Sequence, residues 1–200
     1  MPEQKYSVER DLKEAKEMAD ALDTYVRGDE LYGRIGGVFG GGAMPSTTVG
    51  ALLMRLRRLR ALENRLSPAQ RAELDQIEAR HDAVRNEWQL HYSEKLNREA
   101  NSRLDAMNHF FEECNNSPGL CAGNYLPEAL RRTIVQEIAR SMEGGGTASG
   151  DLTAKMRQVD SKLRRFAQPS DFIWDPALRD AYPQNPYWWL YARPPRPEKK

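Results

Sequence analysis

The sequence contains few of the residues that build metal centres and disulfide frameworks, with only two cysteines and three histidines. Cys114 and Cys121 flank a turn-rich segment, and a metal site at these thiols would need further ligands. We therefore expect no metal and no cofactor. We interpret both cysteines as structural thiols in a reducing environment, with a disulfide across the segment as the alternative. Together with the polar amino terminus, this predicts a cytoplasmic protein.

A large net charge and a long apolar run are also missing. The net charge is +1, so any contact with nucleic acid or an anionic membrane must rest on a local feature. The uncharged stretch from Ile35 to Met54 has the length of a membrane span, but glycines, Pro45 and three hydroxyl residues interrupt it. A membrane contact is therefore not expected.

Helical periodicity is what the sequence does contain. Apolar residues recur at three- and four-residue steps, and 30% charged against 40% apolar residues suits helices with one buried stripe. The pattern predicts an all-α fold of about five helices, at 7–26, 47–66, 68–114, 127–142 and 151–167. We expect them to form a single domain at 1–191 with a flexible linker at 144–150, followed by a disordered tail at 192–200.

The helix predicted at 68–114 is unusually long, because neither glycine nor proline occurs between Ala69 and Ser117. At 1.5 Å per residue it would be about 70 Å long, which is more than one compact domain can bury. It must therefore kink or pack against another chain in a coiled-coil-like pairing. Its candidate core or interface residues are Trp88, Tyr92 and Leu96. A protein partner or a homo-oligomer is expected on this basis.

A glycine-rich loop precedes the helix predicted at 47–66. It lacks the lysine of a phosphate-binding P-loop and the glycine spacing of a dinucleotide-binding turn. Ser46 and Thr47, at the start of the helix, could still hold an anion or nucleotide together with free backbone amides. The alternatives are a hinge and a close-packed turn.

Four arginines flank the apolar stripe of the same helix: Arg55, Arg57, Arg58 and Arg60. Such a face could bind the phosphates of DNA or RNA, which makes a nucleic-acid-associated protein the second hypothesis. The acid-rich helix at 7–26 offers the same guanidinium groups an internal partner. Pairing within the chain is therefore the alternative to nucleic-acid binding.

The aromatic segment at 172–191 has no helical period, and its prolines should keep it extended as a strap. Trp188, Trp189 and Tyr191 in this strap could stack nucleic-acid bases, contact a protein partner, or seal the end of the helical bundle. The sequence leaves all three roles open.

No arrangement of residues predicts catalysis. A serine-nucleophile motif is absent, and His81, His91 and His109 lie on the long helix at spacings that do not assemble a metal site. We interpret these histidines as surface or interface residues. The leading hypothesis is a non-enzymatic helical interaction or scaffold protein, with nucleic-acid binding and an anion or nucleotide response as alternatives.

Overall fold

The computed structural model of the chain describes residues 5–33, 47–144 and 150–195. Its α-helices are α1 Val8–Arg27, α2 Val49–Ala61, α3 Pro68–Glu87, α4 Gln89–Asn116, α5 Pro118–Gly144 and α6 Gly150–Phe166. Short 3-10 helices occur at Glu63–Arg65, Pro176–Ala181 and Trp188–Tyr191, and the strands β1 Gln168–Pro169 and β2 Ala192–Arg193 pair antiparallel. The all-α prediction is confirmed.

The chain divides into two compact units, and the boundary between them falls within α4. The N-terminal unit spans Tyr6–Glu99, and the C-terminal unit contains the described residues from Ala100 onward. The predicted single domain at 1–191 includes both units. Most of the predicted linker at 144–150 lies outside the described residues.

The long helix predicted at 68–114 is interrupted at Trp88. A capping box formed by Ser67 and Gln70 starts α3, and Trp88 ends it with φ −112° and ψ 38°. The indole Nε1 of Trp88 donates a hydrogen bond to Asp23 Oδ1 of α1 at 2.8 Å. The continuous helix predicted from local spacing is therefore corrected to two helices, α3 and α4, at a residue that contacts α1.

The N-terminal unit has its core between α1 and the two helices against which α1 packs, α2 and α3. Ser7 and Thr48 cap α1 and α2 with their side chains. The largest apolar side chains that are wholly buried in this unit are Met18, Leu22, Leu52, Leu59, Leu62 and Leu74. They come from all three helices and the segment after α2, so the core is shared by the whole unit.

In the C-terminal unit, α4 and α6 run parallel. Lys155 and Lys162 of α6 lie seven residues apart, and their Nζ atoms donate to Asn101 Oδ1 and Asn108 Oδ1 of α4 at 3.0 and 2.5 Å. The same lysines pair with Asp105 and Glu112 of α4 at 2.7 and 2.8 Å, respectively. A contact repeated every seven residues is the pattern of two helices with a shared heptad period.

Helix α5 begins earlier than predicted and is kinked. The sequence predicts a start at Pro127, whereas the structure begins α5 at Pro118 and places non-helical angles, φ −118° and ψ 20°, at Asn124. Pro127 has no backbone N–H and therefore cannot donate the helical hydrogen bond to the carbonyl four residues earlier, which weakens the helix at this turn.

The C-terminal segment is more ordered than predicted. Ala192 and Arg193, which were assigned to the disordered tail, form β2 and pair with Pro169 and Gln168 of β1. The strap between these strands contains two of the 3-10 helices instead of a purely extended chain. Residues 196–200 of the predicted tail lie outside the described part of the chain.

Candidate functional site

Three of the four predicted phosphate-binding arginines form ion pairs within the N-terminal unit. Arg55 is 6% exposed, and its Nε and Nη2 atoms donate to Glu14 Oε2 of α1 at 2.9 and 2.5 Å. Arg58 Nη1 lies 3.7 Å from Asp11 Oδ1 of α1. Burial raises the pKa of the Asp11 carboxyl, and Arg58 and Arg55 oppose that shift. The internal pairing proposed for these arginines is therefore present in the structure.

The third of these arginines, Arg60, is directed to α3. Its guanidinium pairs with Glu63 at 3.2 Å, with Asp75 at 2.9 Å, and with Glu78. These carboxylates raise the pKa of Arg60, which stays charged. Arg57 is half-buried and has an interaction of its own. Arg55, Arg58 and Arg60 therefore join α2 to neighbouring helices, and a phosphate backbone would compete with the carboxylates that already pair with them.

The predicted anion position at the start of α2 is filled by the chain itself. Glu99 of α4 is fully buried, and its carboxylate accepts hydrogen bonds from Thr48 Oγ1 at 2.6 Å and from the Gly50 N–H at 2.8 Å. Thr47 is also buried, and Ser46 lies outside the described residues. A free anion at this helix end would meet the charge of Glu99.

Gly33 and Thr47 hold the two ends of the glycine-rich segment together. Their backbone N–H groups and carbonyl oxygens exchange hydrogen bonds of 3.0 and 2.8 Å in an antiparallel bridge. A Cβ on Gly33 would lie 2.9 Å from Cδ2 of Tyr25, so the Tyr25 ring leaves room only for glycine at this position of the bridge. The residues between the two bridge positions lie outside the described part of the chain, so the hinge and anion-binding interpretations of the loop stay predictions.

Lys95 of α4 supports the segment that leads to this bridge. Its Nζ donates to the Glu30 carbonyl oxygen at 2.5 Å and lies 4.6 Å from the centre of the Tyr25 ring. The Tyr25 hydroxyl in turn donates to the Leu31 carbonyl oxygen at 2.7 Å. Burial and the nearby Arg98 lower the pKa of the Lys95 ammonium group. Buried side chains from α1 and α4 therefore anchor the backbone at 30–33.

The residues at the interruption between α3 and α4 form a surface with one strongly exposed apolar side chain. Leu90 is 69% exposed and lies two residues after Trp88. The Trp88 ring is fixed by its hydrogen bond to Asp23, by Arg27 at 5.3 Å from the ring centre, and by the edge of His91 at 5.7 Å. We call this surface, made of Arg27, Trp88, Leu90 and His91, the elbow surface.

The other interface candidates on the long helix belong to the core of the N-terminal unit. Tyr92 and Leu96 are each 2% exposed, so neither is available to a partner in the folded chain. Tyr92 Oη lies 2.8 Å from Nε2 of His81, which is itself buried, and His81 Nδ1 lies 3.0 Å from Asp82 Oδ1. The interpretation of His81 as a surface or interface residue is therefore corrected: it joins α3 to α4.

The aromatic strap packs on the helices of its own unit. Trp189 is 1% exposed, and its Nε1 donates to Thr133 Oγ1 of α5 at 3.0 Å. Arg132 of α5 lies 4.1 Å from the centre of the Trp189 ring. Its Nε and Nη2 atoms donate to Oδ1 and Oδ2 of Asp160 of α6 at 2.7 and 2.9 Å. Trp189 is therefore buried against α5 and not available as a base-stacking platform, and the bundle-sealing role of the strap stays a prediction.

The remaining strap candidates are partly exposed. Trp188 lies beneath the Arg164 guanidinium of α6, 3.7 Å from the ring centre. Tyr191 packs against Phe172 with the ring centres 5.2 Å apart, and its hydroxyl donates to the Tyr182 carbonyl oxygen at 2.9 Å. Both residues contribute to the fold of the strap, and their use by a partner stays a prediction.

The two cysteines form a disulfide, which joins the end of α4 to the first turns of α5. Of the two interpretations of these cysteines, free thiols and a disulfide, the structure therefore contains the disulfide. A disulfide gives no support to the predicted cytoplasmic location, because such bonds persist mainly in oxidising compartments.

The described residues also bear on metal binding and on membrane insertion. Across 5–33, 47–144 and 150–195, no group of three or more acidic, histidine or cysteine side chains is arranged to hold a metal ion. Among the helices of these same residues, none has the length and apolarity needed to cross a membrane. His91 and His109 are exposed.

Comparisons with protein-family models, with curated proteins and with solved structures gave no significant match. The sequence reasoning missed Leu90 and Glu99. Leu90 was visible as an apolar residue outside the buried stripe that contains Trp88 and Tyr92. Glu99 carried no local signal, because its partners lie about fifty residues earlier in the chain.

Proposed function

We propose that this protein is a non-enzymatic helical interaction protein, a scaffold that binds a protein partner or a second copy of itself through the elbow surface. The observation that carries this proposal is the exposure of Leu90, 69%, two residues after Trp88 at the interruption between α3 and α4. The surface lies entirely within the N-terminal unit.

The composition of the elbow surface suits protein recognition. Tryptophan and arginine are enriched among the residues that dominate binding energy, and they act best around an apolar centre that a partner can cover. The contacts of Trp88 with Asp23 and Arg27 hold its ring in place before binding. Less side-chain entropy is then lost when a partner docks, which favours affinity.

A binding role is also supported by how the chain uses its polar side chains. Buried charged side chains in each unit join helices, as Glu99 does at the start of α2 and Arg132 does with Asp160. Groups that are committed to such contacts cannot move protons to or from a substrate without loss of the contact. This supports a non-enzymatic protein more than a catalytic one.

The nucleic-acid hypothesis is the weaker candidate. It rests on the α2 arginines, and Arg55, Arg58 and Arg60 each pair with carboxylates of α1 or α3. Three further features also stay predictions: a cytoplasmic location, a coiled-coil contact with another chain and an oligomeric state. The elbow surface needs none of them to bind a partner.

Replacement of Leu90 by aspartate tests the proposal. Because Leu90 is exposed, Leu90→Asp should change the free energy of unfolding by no more than about 0.5 kcal/mol. It should nevertheless abolish self-association in light scattering. If the wild-type chain is a monomer, the variant should instead lose the partner that the tagged wild-type protein retains from its host after nuclease treatment.

Leu130→Asp is the matched control, since Leu130 is an exposed leucine, 37% accessible, in the C-terminal unit. It should behave like the wild-type protein in both experiments. Leu96→Asp is not a suitable test, because Leu96 is buried and its replacement would disrupt the fold. Equal mass and equal partner capture for the wild-type, Leu90→Asp and Leu130→Asp proteins would exclude the elbow surface as the binding site.

A further inference from the structure

The disulfide joins the first part of α5 to the end of α4. Cys114 and Cys121 are 0% and 1% exposed, with their Cα atoms 5.6 Å apart. Helix α4 ends at Asn116 and α5 begins at Pro118, so the bond spans the junction between the two helices. Among the described side chains from Ser117 to Asn124, Cys121 is the only buried one.

The other end of this part of α5 is set by the kink at Asn124. The next residue, Tyr125, is 2% exposed, and its hydroxyl donates to the Trp189 carbonyl oxygen of the strap at 2.7 Å. From Tyr125 onward, α5 is therefore held by the core and the strap. The part at 118–124 therefore contains the disulfide-bonded Cys121 and ends at the kink.

We propose that the Cys114–Cys121 disulfide is a redox-sensitive pin whose reduction releases residues 118–124 from α4 and leaves the remainder of α5 in place. The reductant is a dithiol. One of its thiolates attacks one sulfur of the disulfide, which breaks the S–S bond, releases the other cysteine and forms a mixed disulfide. Its second thiol then displaces the attacked cysteine from that mixed disulfide. The protein bond takes up two electrons and two protons, and the dithiol becomes a disulfide.

The released region is bounded because its two sides are held differently. After reduction, the side chain of Cys121 keeps only its packing, and the kink prevents the helix from transmitting order from Tyr125 back to residue 118. On the other side of the kink, the hydrogen bond from Tyr125 to the strap does not depend on the cysteines. Local opening of this kind is independent of global unfolding.

The first measurement establishes the redox state. Alkylation of the unfolded full chain with iodoacetamide, followed by intact mass measurement, should label no cysteine without reductant and two cysteines after dithiothreitol treatment. Labelling of both cysteines without reductant, in protein purified under air, would overturn the proposal, because there would be no disulfide to reduce.

The second measurement locates the release. Hydrogen exchange of the folded full chain, read by mass spectrometry, should become at least tenfold faster at 118–124 after dithiothreitol treatment and stay unchanged at 128–143. The Cys114→Ser/Cys121→Ser variant should exchange like the reduced protein, with or without dithiothreitol. Equal exchange in both redox states, or faster exchange throughout 100–143, would overturn the proposal of a local pin.

Discussion

The carboxylate of Glu99 accepts a hydrogen bond from the Thr48 hydroxyl at 2.6 Å, although the two residues are 51 positions apart in the chain. The same carboxylate accepts the backbone N–H of Gly50 at 2.8 Å. Thr48 also caps α2 by accepting the N–H of Ala51. A buried negative charge from α4 therefore neutralises the positive end of the α2 dipole and satisfies one of its unpaired donors.

The first prediction concerns the charge of Glu99. Glu99→Gln retains the size of the side chain but removes the charge that strengthens both hydrogen bonds. Because hydrogen bonds to a charged group are the stronger ones, the free energy of unfolding should fall by about 1.5–3 kcal/mol. Urea denaturation at neutral pH measures this loss.

Glu94→Gln is the control for this experiment, since Glu94 is an exposed glutamate on the same helix. It should leave the free energy of unfolding within about 0.5 kcal/mol of the wild-type value. Equal stability of the Glu99→Gln and Glu94→Gln proteins would mean that the buried charge does not hold the start of α2.

Features that depend on near neighbours in the chain could be predicted from the sequence. The caps at Ser7, Thr48 and Ser67 each act on a backbone N–H three residues later, so a short sequence pattern contains the whole interaction. The buried stripes of α4 and α6 follow in the same way, because the helical period alone decides which residues share a face.

Features that depend on distant residues could not be predicted. The break at Trp88 coincides with a contact to Asp23, 65 residues away, and no proline or glycine marks it. Periodicity also does not distinguish a stripe buried by its own chain from one buried by a partner. Tyr92 and Leu96 fit both cases, and only the fold places them in the core.

The second prediction concerns the buried ion pairs between α1 and α2. Arg55→Ala removes the donor that pairs with Glu14 at 2.5 Å and lies 3.8 Å from Asp11, and both carboxylates are largely buried. An unpaired buried charge is costly, so the free energy of unfolding at pH 7 should fall by about 3–5 kcal/mol. Chemical denaturation measures the loss.

The pH dependence of this loss distinguishes charge from packing. Without Arg55, the pKa of Asp11, already raised by burial above its ordinary value of 3.8, should rise further. The loss of unfolding free energy caused by Arg55→Ala should therefore become smaller as the pH falls and the Asp11 carboxyl becomes neutral. Arg65→Ala, at an exposed position after α2, should have little effect at any pH. A deficit that is the same at pH 7 and at acidic pH would indicate lost packing instead.

The third prediction concerns Glu128 of α5, a buried carboxyl that is 2% exposed. Its Oε1 accepts a hydrogen bond from Arg131, whereas its Oε2 has no hydrogen-bond partner among the described residues. Burial raises the pKa of Glu128 from 4.5 to about 7, against the opposing effect of Arg131. The folded state therefore favours the neutral carboxyl.

Glu128 should consequently make the protein less stable as the pH rises. Between pH 4.5 and about 7, the folded state binds a proton that the unfolded state has released, so the free energy of unfolding falls with pH across this window. Above pH 7, the loss in the free energy of unfolding stays constant at about 3 kcal/mol, because each unit of pKa shift corresponds to about 1.36 kcal/mol. Glutamine cannot ionise, so Glu128→Gln should be the more stable protein at pH 8.

Thermal and urea unfolding of both proteins at several pH values between 4.5 and 8 test this dependence. Other titrating groups contribute equally to the free energies of unfolding of the wild-type and Glu128→Gln proteins, so their contributions cancel in the difference. The two curves of unfolding free energy against pH should therefore converge toward pH 4.5 and separate toward pH 8. Glu143→Gln, at an exposed position of the same helix, should follow the wild-type curve. A constant difference across the range would mean that Glu128 has the same pKa in the folded and unfolded chains, and that its burial is relieved by a partner for Oε2.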